Sequence, residues 1–130
     1  MPYTTWTDGA FTGSLAVTGV ASGQFRHLTQ TLTATGAITL TSGLVMLNHA
    51  STIIAATLAA PVAGNELYIV DSSASGTAAH TVTLPSGVTW DGTNNTATLN
   101  APGEALHVIA LSATRWLILE NIGAVALSTV

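Results

Sequence analysis

The sequence predicts an all-β protein: an antiparallel β-sandwich or flattened barrel of the jelly-roll or β-tulip kind, with an extended N-terminal arm. Three observations predict it. Thr, Val, Ile and Leu dominate, with 22 threonines among 130 residues, and they alternate between clusters of Gly, Pro, Asn and Asp. The helix formers Glu, Gln and Arg are scarce and Lys is absent, and no useful length of chain repeats at 3.6 residues. The chain is 48% hydrophobic but only 6% charged, where an average soluble domain carries about a quarter of its residues as charges. Neutral hydroxyls must cover whatever surface meets water, and much of the exterior is expected to lie against other protein.

Taken in order, residues 1–27 read as the arm. Gly9, Gly13, Gly19 and Gly23 interrupt them every few residues, leaving room for one strand, Ser14 to Val20. Trp6 and Phe11 stand alone in this segment and either fold back on the body or dock on a partner. The body, 28–130, begins with the alternation of Leu28 to Thr35. Ala37 to Thr41 and Leu44 to Asn48 flank Ser42-Gly43, which suits a two-residue hairpin turn. Ile53 to Leu58 ends at Pro61, which cannot continue a ladder. Glu66 to Asp71 is a strand, Ser72 to Ala79 a small-residue loop, and His80 to Leu84 a strand with Val82 and Leu84 inward. Val88-Thr89-Trp90 and Thr96 to Asn100 flank the dense turn Asp91 to Asn95. After Ala101-Pro102-Gly103, Leu106 to Leu111 and Arg115 to Asn121 pair as a hairpin, and Ala124 to Ser128 closes the chain. This last hairpin is apolar on both faces, as expected of strands held between layers or between subunits. No repeat recurs at a fixed period, which argues against a solenoid.

The charge balance bounds the function. Two arginines, no lysine and a formal charge of −4 leave nothing to neutralise phosphates, so neither nucleic acid nor an anionic membrane is an expected partner. Ala105 to Val130 is the most apolar stretch, and His107, Arg115, Glu120 and Asn121 break it well short of the roughly 18 residues of a membrane span. There is no cysteine, hence no disulfide or thiolate chemistry, and the N-terminus shows no signal peptide.

Catalytic and metal signatures are weak. His27, His49, His80 and His107 are scattered, with no i, i+2 or i, i+4 pair, and each reads as a strand residue bonded locally. His80 is expected to tie down the loop before it. Asp91 to Asn95 lacks the alternating acids and final glutamate of a calcium loop. Glu66 and Asp71 fall on opposite faces of one strand, so they cannot work as a glycosidase pair. No serine has a G-x-S-x-G context. No cofactor is expected, and an enzyme or lectin domain is the weakest reading. Arg115, beside Trp116, is either an edge charge that keeps the hairpin soluble or a subunit contact.

Two stretches carry a family resemblance. The run "TLAAPVAGNELYIVDSSASGTAAHTVTLPSGVTWDG", Thr57 to Gly92, and "TATLNAPGEALHVIALSATRWLILENIGAVALS", Thr96 to Ser128, resemble β-rich virion proteins of tailed bacteriophages. The shared features are a strand ending in A-x-P-x-x-G, the A-H-T-V-T strand, an A-P-G-E-like turn and the run A-x-x-x-x-x-W, Ala110 to Trp116. Capsid decoration (cement) proteins and some fibre proteins carry such segments. The resemblance implies a homotrimer, made in the host cytoplasm, that sits on the outside of the phage head and clamps major capsid protein subunits, with no enzymatic activity. On this reading Trp6, Phe11, Phe25 and Arg26 in the arm are capsid-contact candidates. Leu106, Val108, Arg115, Trp116 and Ile118 are trimer-interface candidates. The alternative is a trimeric tail-fibre or receptor-binding module.

Overall fold

A computed structural model describes residues 26–130. Their strands are short runs of β-branched, aliphatic and small residues ended by Gly, Pro or Asn: β1 (Thr29–Leu32), β2 (Gly36–Ile38), β3 (Gly43–Leu47), β4 (Ala55–Leu58), β5 (Glu66–Asp71), β6 (His80–Thr83), β7 (Thr96–Leu99), β8 (Ala105–Ser112), β9 (Arg115–Ile122) and β10 (Ala126–Ser128). No helix occurs among the described residues. Two five-stranded sheets result, one ordered β1-β3-β5-β8-β9 and the other β10-β7-β6-β4-β2. The all-β expectation is met.

The pairing differs from the antiparallel sandwich expected. Through its first six strands the chain alternates between the sheets, and each strand lies parallel to the one two before it. The path is a flattened coil. Only then does it reverse: β7 runs antiparallel to β6, β8 to β5, β9 to β8 and β10 to β7. Each sheet keeps two edge strands, so there is no closed barrel. The winding is also solenoid-like despite the absence of a fixed repeat. Thr29 stacks on Leu44 and Leu44 on Tyr68, while Gly36 stacks on Ala56 and Ala56 on Val82. Connecting loops of unequal length set these steps, so no period shows in the sequence.

The predicted hairpin at Ser42-Gly43 is instead a crossing from one sheet to the other. Gly43 has φ +133°, and a β-carbon there would stand 2.3 Å from the Leu28 carbonyl oxygen. That oxygen accepts the Leu44 N–H at 2.8 Å. Only glycine lets β3 start this close to the segment leading into β1. Val88-Thr89-Trp90 is not a full strand either: Thr89 alone pairs, in a parallel bridge to Arg115.

Alternate side chains of both sheets fill the space between them. Val45, Leu47, Leu67, Ile69, Leu106, Val108 and Trp116 come from the first sheet, and Ile38, Ala56, Leu58, Val82, Ala97 and Leu99 from the second. Trp90 enters from the loop after β6, and its ring centroid lies 6.2 Å from that of Trp116. Burying each large apolar side chain contributes about 1.5–3 kcal/mol. At the open end of the coil, Gln30 bridges the two edge strands. Its side-chain oxygen accepts the Thr39 and Leu40 N–H groups, and its amide donates to the Ala37 carbonyl. Residues 1–25, the greater part of the expected arm, lie outside the described residues.

Candidate assembly face on the first sheet

The sheets are covered unequally. Outward positions of the first sheet align in three rows across its strands. Glu66, Ile109 and Leu117 form one; Leu44, Tyr68, His107 and Glu120 the next; Met46, Val70, Ala105 and Ile122 the third. Most members are apolar, on a face that no layer of the described chain covers. Two bulges add to it. Val108 pairs with Ile118 and His107 with Glu120, leaving Leu119 over; Ala110 pairs with Trp116 and Ser112 with Arg115, leaving Leu111 over. A bulge residue leaves the strand's alternation and is re-aimed. Leu111, Leu117, Leu119 and Ile122 are 49%, 38%, 48% and 50% exposed. The other large exposed apolar residues, Leu28, Ile53, Val62 and Val130, lie outside the strands of this sheet. Contiguous apolar surface, unlike single residues, marks interaction sites.

In the middle of this face sits a polar cluster. His107 on β8 and Glu66 on β5 are brought together by the antiparallel register, with Nε2 and Oε1 2.5 Å apart. The His107 side chain is mostly buried while that of Glu66 is 43% exposed. The Tyr68 ring stacks on His107 with centroids 4.1 Å apart and an interplanar angle of 10°. His27 packs on the same tyrosine at 5.2 Å, tilted by 55°. Glu120 is the cross-strand neighbour of His107 on its other side.

The predicted contact residues divide sharply. Leu106, Val108 and Trp116 are 1%, 0% and 1% exposed, and they belong to the inter-sheet core. None of the three offers surface to a partner. The apolar character of both faces of this hairpin has two causes: one face is the core, the other the uncovered outer face. Ile118 is half-buried and packs against the core. Arg115 is exposed, and its guanidinium lies over Gly92; among the described residues it forms no ion pair. Arg26 is exposed just before β1. Trp6, Phe11 and Phe25 lie outside the described residues. The Glu66–His107 contact escaped sequence reading because 41 residues separate the partners. Its signal, two outward polar positions on apolar strands, becomes meaningful only once those strands are known to be neighbours.

A second polar cluster lies inside the opposite end of the sandwich. His80 is buried, and its Nδ1 accepts the Ile54 N–H at 3.1 Å, so a neutral ring carries its proton on Nε2. That nitrogen faces Asp71 Oδ1 at 3.8 Å, beyond hydrogen-bond reach. Asp71 in turn accepts the Ser73 N–H at 3.0 Å and the Ser73 hydroxyl. The order is serine, aspartate, histidine. The carboxylate, not the imidazole, meets the hydroxyl, and this arrangement does not activate serine as a nucleophile. Its effect is to fasten loops: Asp71 holds the turn after β5, and His80 holds the loop before β4, not the one it follows. Among the described residues, no three His, Asp or Glu side chains converge as metal ligands would. The Asp91 carboxylate caps its own turn through the Thr93 and Asn94 N–H groups. In comparison with known proteins, the chain matches no family model, no curated sequence and no solved structure.

Proposed function

We propose that the protein is a structural virion component, a capsid decoration protein that assembles as a homotrimer on the outside of a phage head and braces neighbouring major capsid subunits. The observation that carries this reading is the uncovered apolar face of β8 and β9 on a chain with 6% charged residues. Such a face is costly to leave in water and is relieved by burial against protein. The subunit contact is drawn here through Leu111, Leu117, Leu119 and Ile122, with Arg115 at its margin. Residues 1–27, with Trp6, Phe11, Phe25 and Arg26, supply the contact to the shell. A protein that binds only the assembled lattice stabilises it by mass action, which requires area and no chemistry.

Light scattering tests the assembly. The full chain should run at three times its 13.1 kDa mass. The double substitution Leu117→Ser, Leu119→Ser should give a folded monomer with an unchanged far-ultraviolet spectrum. A stable wild-type monomer sinks the proposal. Immunogold labelling of virions tests the location: label on the head supports decoration, and label confined to the tail would instead favour the receptor-binding module.

A further inference from the structure

We infer that assembly through this face is coupled to uptake of one proton per subunit at the Glu66–His107 pair, so that the subunits associate more tightly as the pH falls. The inference rests on the assembly reading above, with a second copy of the chain as the occupant of the face. The pair lies among Leu44, Ile109 and Leu117, whose outward side chains a partner subunit would cover. Covering them also strips water from Glu66.

The titratable and charged groups around His107 are few. Glu66 and Tyr68 face it from β5, and Glu120 from β9. His27 packs on Tyr68 and makes no hydrogen bond or ion pair with Glu66 among the described residues, and Arg115 stands at the other end of β9. With His107 neutral and Glu66 ionised, the pair carries one negative charge, and burial against a second subunit leaves it uncompensated. With one proton added, the pair is neutral overall, whichever atom holds the proton. The covered state therefore favours the protonated pair, and a protonated imidazole also gains from the Tyr68 ring stacked on it. Glu120 on the face and Arg115 at its margin, exposed and of opposite sign on one strand, are charges that a second copy can complement.

The linkage fixes the sign. If association adds a proton, the association constant falls as pH rises, by up to tenfold per pH unit for each subunit added. Light scattering or sedimentation of the full chain between about pH 8 and about pH 5.5 spans the range of ordinary imidazole titration. The wild type should associate most tightly at the acidic end. Glu66→Gln leaves no charge to compensate. It should associate at the alkaline end at least as tightly as the wild type does at the acidic end, and should not tighten toward acid, because a proton on His107 would now be the uncompensated buried charge. His107→Gln should associate weakly across the range. His27→Gln should retain the wild-type slope, since His27 does not touch the carboxylate.

Association of the wild type that is equally strong at all these pH values would overturn the inference while leaving the assembly reading intact. A Glu66→Gln chain that associates less tightly than the wild type throughout would do the same. A wild-type monomer at every pH would remove the assembly reading, and this inference with it.

Discussion

His80 offers the sharpest test of what holds the sandwich ends together. The site is completely buried, so burial alone would favour an aliphatic side chain of similar size. The hydrogen bonds argue the opposite. Replacing His80 by leucine removes the acceptor of the Ile54 N–H, and Ile54 is itself buried. An orphaned buried donor costs about 1–3 kcal/mol. Leucine also leaves the Asp71 carboxylate with no polar hydrogen opposite it, so we expect His80→Leu to lose about 2–3 kcal/mol. Asparagine keeps an oxygen near the position of Nδ1 and turns its amide toward Asp71. The smaller side chain leaves a gap, and the loss should be about 1 kcal/mol. Urea denaturation followed by tryptophan fluorescence, at about pH 8 where an ordinary imidazole is neutral, reads the difference directly. A leucine variant as stable as the asparagine variant, or more so, would show that hydrophobic burial outweighs the Ile54 bond and would refute the argument.

Other perturbations give separate checks. Gly43→Ala places a methyl group 2.3 Å from the Leu28 carbonyl oxygen at φ +133°, and should cost about 3 kcal/mol. Gly64→Ala, at φ +91° with nothing within 4 Å, should cost only about 1 kcal/mol; equal midpoints in thermal melts would contradict the proposed tight approach. Asp91 is held below the ordinary aspartate range, first by the Asn94 N–H and also by the Asn94 side chain and the Thr93 N–H, against a smaller opposing effect of burial. Its contribution is therefore present above the unfolded value of about 3.9 and disappears as pH falls toward the lower folded value. Because the turn is exposed, Asp91→Ala should cost less than about 1 kcal/mol at neutral pH. That difference should vanish in acid melts, and one that persists there would mean the carboxylate charge is not the cause.

The individual strands were legible because alternation and punctuation are local. Glu66 to Asp71 and the loop Ser72 to Ala79 match the structure residue for residue, and the Arg115 hairpin is close to its predicted bounds. What was not legible was which strand lies beside which. Ser42-Gly43 has the composition of a hairpin turn, but composition cannot distinguish a turn within a sheet from a crossing between sheets. The coil was hidden for the same reason, since its rungs are aligned by register while its loops vary in length. The final hairpin shows the cost of this for site prediction. Leu106, Val108 and Trp116 are as apolar as Leu111, Leu117 and Leu119, and only the partner sheet decides which set is core.

The coiled path also constrains how the chain can acquire its structure. From β1 to β5 no strand pairs with its immediate successor, so no early segment can close a hairpin by itself. Among the described strands, β8 and β9 alone are successive partners joined by a two-residue turn. Local pairing is fast and distant pairing slow. A chain emerging from the ribosome N-terminus first thus has only non-local parallel pairings open to it until β7 is released. The segment that forms most readily is also the one that bears the uncovered apolar face. On the proposed assembly, folding and association would draw on the same strands, and subunits meeting before their coils have closed would do so through the part already in place.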